Sequence, residues 1–431
     1  MRYIARNLEK VVLEVTKEYP VVLVTGPRQV GKTMLQKLME GTDRNYVSLD
    51  DLNERNLAKT DPEMFLQLHK PPILIDEVQY APELFVYIKI HVDKYHNAGD
   101  FWLTGSQVFK LMSGIQESLA GRVAVLSLTS LSQAEICGGE MQPFTLDIEK
   151  LSARRKERTA ADTGVIFDWI FRGSMPAIVS EKNSNSRIFY SSYLTTYIER
   201  DVREVSDAID SLTFLHFITA VAARCGQILN IAEIARDADI NQKQAKNWLG
   251  VLETLGLIFY LHPYSNNMLK RLVKTPKLYF YDTGLVCYLT KWSSAETLQS
   301  GAMNGAILEN YVVAEIRKTY LNCGKDPYMY YYRDKDAREI DKPLLYKTML
   351  KMSLYRYMPE YFKPKFDVQN EQYASIVSYP NNTMQYSNPN FYNTMMEKGL
   401  TIDDSSNYFV VNHLNGGHEF INDANCQYAQ D

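Results

Sequence analysis

Apolar residues recur at helical spacing at Leu8, Val11, Val12 and Val15, and Tyr19-Pro20 then closes the segment before the β-rich run Val21-Val22-Leu23-Val24. The pattern predicts a helix followed by a buried strand. Residues 46–49, 73–75, 101–103 and 123–128 read as further buried strands, each separated from the next by helix-forming or polar sequence. Strands of this kind alternating with helices form a parallel sheet covered on both faces. After Leu128 the strand rhythm stops. A charged run at 150–158 marks a boundary, because such a block is usually solvated, and a helical stretch follows through Trp169 and Tyr190 to Arg203. Residues 214–225, 231–237 and 243–255 then read as short helices and 258–261 as a strand, which suggests a winged helix-turn-helix. A strand at 277–281, a long helix at 305–320 and a strand at 328–332 predict a second, smaller α/β unit. Beyond Asp341 prolines and asparagines interrupt the pattern, periodicity is weak apart from 407–411, and no fold is expected there.

Two motifs carry chemistry. Gly26-Pro27-Arg28-Gln29-Val30-Gly31-Lys32-Thr33 matches GxxxxGK[ST] in full, directly after a predicted strand and directly before the helical run 34–39. Its glycines let backbone N–H groups turn inward around phosphates, Lys32 brings a charge to the outer phosphates, and Thr33 offers a hydroxyl to Mg²⁺. Then 72–77 is an apolar strand that stops at Asp76 and Glu77. An isolated Asp-Glu pair is ordinarily a surface turn. At the carboxyl end of a buried strand, in a chain with a phosphate loop, it reads as a metal-holding Asp76 and a water-polarising Glu77. The strand at 101–103 ends in Thr104, Gly105, Ser106 and Gln107, whose hydroxyls and amide suit a γ-phosphate sensor.

The set GPRQVGKT, ILIDEVQYAPELF, LTGSQVFKLM, ESLAGRVAVLSL, YIERDVRE and KRLVKTPKLYFYDTGL resembles the bacterial and archaeal AAA-type ATPases whose C-terminal half is a domain of unknown function, DUF4143-like. The match runs from about Tyr3 to Asp341. The resemblance implies an α/β fold: a P-loop NTPase parallel sheet of the additional-strand catalytic-glutamate class, then a winged helix and a small PD-(D/E)xK nuclease-like unit. It divides the chain into an ATPase core at 1–150, a helical linker or lid at 151–210, a winged helix at 211–285, a partial nuclease-like unit at 286–345 and an atypical Tyr- and Asn-rich tail at 346–431. It also implies ATP and Mg²⁺ as cofactors, Lys32 and Thr33 as the nucleotide pair, Asp76 and Glu77 as the metal and water pair, and Thr104 to Gln107 as sensor. An arginine finger is expected from Arg122, Arg200 or Arg203, with Arg122 preferred; each is equally readable as a structural ion-pair partner. Glu309 and Glu339-Ile340-Asp341 match the start of the nuclease pattern, but no strand ending in ExK follows, so the metal site lacks a ligand and nuclease activity is not expected.

Composition narrows the partners. Lys+Arg total 47 and Asp+Glu 51, a net charge of -4, so any nucleic-acid surface must be local. The one basic strip is Lys243 and Lys246 on the expected recognition helix with Lys270, Arg271, Lys274 and Lys277 on the wing, where phosphates could be met. Five scattered cysteines without a CxxC pair fit a reducing cytoplasm, and no apolar run approaches the roughly 18 residues of a membrane span. Of the 30 tyrosines, 14 lie from Tyr328 onward. The function expected is an ATP-hydrolysing switch that moves its C-terminal domains, with a nucleotide-dependent DNA-binding or adaptor protein of little turnover as the alternative; a homo-oligomer suits either.

Overall fold

The structure, a computed structural model, describes residues 3–39, 44–106, 118–145, 147–156, 161–180, 185–198, 210–264, 275–333, 339–343, 408–412, 418–422 and 428–430. Gln107, Arg200, Arg203, Lys270, Arg271 and Lys274 lie outside them. The first elements are α1 (Leu8–Val15), β1 (Val21–Thr25), α2 (Lys32–Met39), β2 (Asn45–Ser48), α3 (Leu52–Thr60), α4 (Pro62–Leu68), β3 (Ile73–Asp76), α5 (Leu84–Tyr95), β4 (Phe101–Gly105), β5 (Val123–Ser127) and α6 (Gln133–Ile136). The next helices are α7 (Ile148–Lys156), α8 (Thr163–Arg172), α9 (Pro176–Ser180), α10 (Ser186–Tyr193), α11 (Ser211–Ala222), α12 (Ile231–Asp237) and α13 (Gln242–Thr254). After them come β6 (Ile258–Pro263), β7 (Lys277–Phe280), α14 (Thr283–Leu289), α15 (Ala295–Ser300), α16 (Asn304–Leu321), β8 (Tyr330–Arg333), β9 (Glu339–Pro343), β10 (Tyr408–Asn412), β11 (His418–Asn422) and β12 (Tyr428–Gln430).

β1 to β5 form one parallel sheet in the order β2-β3-β4-β1-β5. The strand carrying Asp76 is therefore separated from the strand preceding the glycine loop by β4, the arrangement of the additional-strand class. Every residue of β1, β3 and β4 is buried, which explains why these strands read as unbroken apolar runs. Because side chains alternate across a strand, Val21, Leu23, Ile73, Ile75, Phe101 and Leu103 share one face and pack with Phe65 of α4 and Leu84, Phe85, Ile88 and Val92 of α5. Short polar side chains end the coil segments: Asp51 accepts from the N–H groups of Asn53 and Glu54 at the start of α3, and Asp61, followed by Pro62, accepts from Met64 N–H at the start of α4.

Residues 1–144, 166–262 and 272–328 make one compact unit. Within it α11, α12 and α13 meet around Trp248, whose ring lies 5.4 Å from that of Phe214 and 5.1 Å from that of Phe217. Ala245, Leu249 and Leu252 are buried beside it while Lys243 and Lys246 are exposed, so α13 has the expected two faces. β6 and β7 pair antiparallel, Ile258 opposite Phe280. α16 is fixed to β7 by the buried Asn310, which accepts from Phe280 N–H at 2.7 Å and donates to Phe280 C=O at 2.8 Å. The second unit comprises 145–165, 263–271 and 329–431. It holds α7, the antiparallel pair β8–β9 with a register shift between Tyr331 and Tyr332, and an antiparallel sheet β10-β11-β12. The sequence pattern assigns no fold to this tail. Of its strands only β10 shows strand periodicity in the sequence, at 407–411.

Candidate functional site

The loop between β1 and α2 takes its shape from backbone conformations that few residues adopt. Gly26 has φ +145°, Gln29 +62° and Gly31 +95°. A Cβ on Gly26 would stand 2.0 Å from the Leu128 carbonyl oxygen, so only glycine fits where the loop leaves the sheet. Leu128 N–H donates to Thr25 C=O at 2.8 Å, keeping the chain after β5 against the base of the loop. The loop runs straight into the first turn of α2, whose unpaired N–H groups and dipole favour an anion.

Lys32 is 6% exposed, and its ammonium donates to the carbonyls of Gly26 at 2.9 Å and Pro27 at 2.8 Å. Thr33 Oγ1 donates to Asp76 Oδ1 at 2.9 Å, with Oδ2 at 3.2 Å. The same carboxylate accepts from the buried Thr104 hydroxyl and from Tyr46 OH at 3.1 Å. Thr104 Oγ1 in turn accepts from Glu77 N–H at 3.1 Å. Thr104 is thus committed to the end of β3 on both sides, as donor to the Asp76 carboxylate and as acceptor from the Glu77 backbone N–H. Glu77 itself sits in the left-handed region, φ +57° and ψ +46°, a strained position for a non-glycine residue of the kind found at functional sites. Its Oε2 accepts from the Gln79 amide and from Ser106 Oγ at 3.3 Å. Hydroxyl and carboxylate oxygens adjoining a glycine loop suit Mg²⁺, which takes hard oxygen ligands, and a polyphosphate.

Charge accumulates at this strand end. The Asp50 carboxyl is held above its ordinary range by burial and then by the neighbouring carboxylates of Glu77 and Asp76. Burial also pushes the Tyr46 phenol up, and the Asp76 charge adds to that. The Lys37 ammonium lies 3.5 Å above the Tyr46 ring, close enough for a cation–π contact. Tyr46, Asp50 and Gln79 were not legible as site residues. Gln79 lies two positions beyond Glu77 and Tyr46 on a separate strand, and neither spacing signals a shared site.

The structure assembles Gly26 to Thr33, Asp76, Glu77, Thr104 and Ser106 at the carboxyl ends of β1, β3 and β4. It does not bring Arg122, the preferred finger candidate, to them. Arg122 C=O accepts from Val21 N–H at the start of β1, whereas the loop follows its end, about 13 Å further along the strand at roughly 3.3 Å per residue. Its guanidinium forms a two-point pair with Asp93, at 2.5 and 3.1 Å. Lys277, expected in the basic strip, is 2% exposed and pairs with Glu309 at 3.5 Å. Glu309, expected at a nuclease centre, also accepts from Tyr279 OH at 2.6 Å. Among the described residues no three or more His, Cys, Asp and Glu side chains group as a metal would require, and no helix is long and apolar enough to cross a membrane.

The helical region reaches the glycine loop. Tyr193 OH of α10 donates to Arg28 C=O at 3.4 Å. Gly256, in the turn after α13, has φ +69°, and a Cβ there would stand 3.0 Å from Cδ of Pro27.

Comparison with known proteins matches residues 18–137 to the family described as AAA domain, 164–296 to a domain of unknown function, DUF8612, and 304–347 to another, DUF4143. The uncharacterized proteins Mb2031c of Mycobacterium bovis and Rv2008c of Mycobacterium tuberculosis are each 30% identical over 323 residues, 75% of this chain and 67% of theirs. Among solved structures, the Walker-type ATPase PABY2304 of Pyrococcus abyssi is 15% identical with a TM-score of 0.44, covering 65% of this chain and 94% of its own. The Thermotoga maritima RuvB Holliday junction branch migration motor is 15% identical with a TM-score of 0.28, covering 59% and 89%.

Proposed function

We propose, from the premise that the chain belongs to the AAA-type P-loop ATPases with a C-terminal DUF4143 domain, that it hydrolyses ATP and that the cycle moves its C-terminal helices. In this reading the N–H groups of residues 26–33 and the Lys32 ammonium take the phosphates, while Thr33 and Asp76 hold Mg²⁺ and its water shell. Bound Mg²⁺ would spread the charge of the outer phosphates. Glu77 polarises the attacking water, and Ser106, hydrogen-bonded to the Glu77 carboxylate, keeps it aimed. Thr104 holds Asp76 in place. Arg122 keeps a finger role only toward the site of a second copy.

The contact of Tyr193 and Gly256 with the loop carries the switch reading. Phosphate oxygens compete for the Lys32 ammonium with the carbonyls of Gly26 and Pro27. Pro27 is the residue against Gly256 and Arg28 the one bonded to Tyr193. A loop that rearranges around phosphate therefore shifts the two points on which α10 and the turn after α13 rest. Residues 211–285 are read as a winged helix whose exposed Lys243 and Lys246 would meet nucleic-acid phosphates. The test is Mg²⁺-dependent phosphate release by the purified protein together with hydrogen exchange across 242–254. Turnover lost on Glu77→Gln, and exchange that changes with a non-hydrolysable ATP analogue, are expected. Absence of turnover removes the enzymatic reading, and unchanged exchange removes the switch.

A further inference from the structure

Arg6 lies before α1, outside the 18–137 stretch that matches the AAA domain, yet it is 5% exposed and its guanidinium is spent on three separate partners. Nη1 donates to Val30 C=O at 2.8 Å, Nη2 to Thr129 C=O at 2.8 Å, and Nε to Glu135 Oε1 at 3.1 Å. Glu135 is buried too. Its Oε1 accepts from Asn7 N–H at 2.9 Å and its Oε2 from Ser132 N–H at 2.8 Å and Ser132 Oγ at 2.9 Å. Burial pushes the Glu135 carboxyl up, but the Arg6 charge and the N–H groups of Ser132 and Asn7 outweigh it and hold the carboxyl below its ordinary value. A buried ion pair this fully hydrogen-bonded has its desolvation offset and keeps one geometry.

The partner that bears on the site is Val30 C=O. In a trans peptide the C=O of one residue and the N–H of the next point in opposite directions, so holding Val30 C=O from behind fixes where Gly31 N–H points. Gly31 also lacks the Cβ that restrains a backbone. Its φ of +95° lies in the region that favours glycine, so no side chain helps to set the Val30–Gly31 peptide plane. A cradle for phosphate depends on such N–H groups all facing inward.

We infer that Arg6 is a positioning residue for the nucleotide loop: by gripping Val30 C=O it aims Gly31 N–H into the phosphate cradle, and Glu135 aims Arg6. The inference rests on the loop binding ATP. Its three-way grip needs the planar fork of arginine, because a lysine keeps the charge beside Glu135 but has one nitrogen for three acceptors.

The test compares dissociation constants for ATP and AMP in wild type, Arg6→Lys and Glu135→Gln, with thermal midpoints measured alongside. A variant that merely loosens the fold weakens both nucleotides together. Loss of aim weakens what the β- and γ-phosphates contribute: Arg6→Lys is expected to raise the ATP constant about tenfold while the AMP constant stays within about twofold. Glu135→Gln is expected to change the ratio about threefold in the same direction. An ATP-to-AMP ratio equal to wild type in folded Arg6→Lys overturns the inference. If Arg6→Lys does not fold, an unchanged ratio in Glu135→Gln overturns it. Wild type binding neither nucleotide would instead refute ATP binding by the loop.

Discussion

Thr33 Oγ1 and Asp76 Oδ1 are 2.9 Å apart, a hydroxyl from the first turn of α2 bound to the carboxylate that ends β3. Forty-three positions separate them in sequence, and β4 lies between β3 and β1, the strand that precedes the loop. The bond puts the two oxygens that would face Mg²⁺ side by side. Thr33→Val keeps the shape and removes the hydroxyl, leaving Asp76 with one donor fewer. ATP affinity measured with Mg²⁺ is expected to fall about tenfold, while affinity measured in EDTA stays near wild type. Equal losses under both conditions would assign Thr33 to the loop rather than to the metal.

Gly256 and Gly250 lie six positions apart, and alanine should act on them with opposite sign. Gly250 is helical with nothing within 4 Å of its Cβ position, so Gly250→Ala is expected to stabilise by about 0.5–1 kcal/mol through helix propensity. At Gly256 the φ of +69° and the 3.0 Å approach to Pro27 Cδ oppose a side chain, and Gly256→Ala is expected to destabilise by about 1–2 kcal/mol. It should also change ATP affinity, since the strain falls on the loop. Denaturant midpoints and an ATP titration check both.

Acid should release the brace behind the loop. The folded Glu135 carboxyl lies below its ordinary value of 4.5, so the unfolded chain binds the extra proton first as pH falls. Its stabilisation is therefore complete above about pH 4.5 and is lost as pH drops through the lowered folded value. Thermal midpoints taken from pH 6 downward should fall for wild type, with a shallower slope for Glu135→Gln. Parallel slopes would show that other carboxylates govern acid unfolding.

Lys243 and Lys246 are exposed on the face of α13 away from Trp248. If that face meets a duplex, Lys243→Glu with Lys246→Glu should weaken binding on every sequence and lower the salt slope by about two. Duplex binding by fluorescence anisotropy at several salt concentrations checks this, and a wild type that binds nothing at low salt excludes the nucleic-acid role of the strip.

Much of the ATPase region was legible because its signals are local. β1, β3 and β4 are buried on both faces, so their side chains are apolar up to the polar residues Thr25, Asp76 and Thr104 at their carboxyl ends, and Gly26 to Thr33 carries its own turn chemistry within eight residues. Asp76 and Glu77 were legible from the end of an apolar run. Position along the chain does not say at which end of a strand Arg122 lies; the structure puts it at the start of β1, away from the loop. Lys277 looked like a surface cation until Glu309, far away in sequence, supplied the partner that lets it be buried.

The sequence by itself determined the elements and the phosphate-binding chemistry, since periodicity and glycine conformations act over a few residues. Only the tertiary structure decided which remote side chains rest against the loop that carries that chemistry. Arg6 and Glu135 are 129 positions apart, and Tyr193 lies 165 from Arg28. Each contact exists because the sheet and its covering helices bring remote segments together, and a buried polar group requires a partner wherever the fold supplies one.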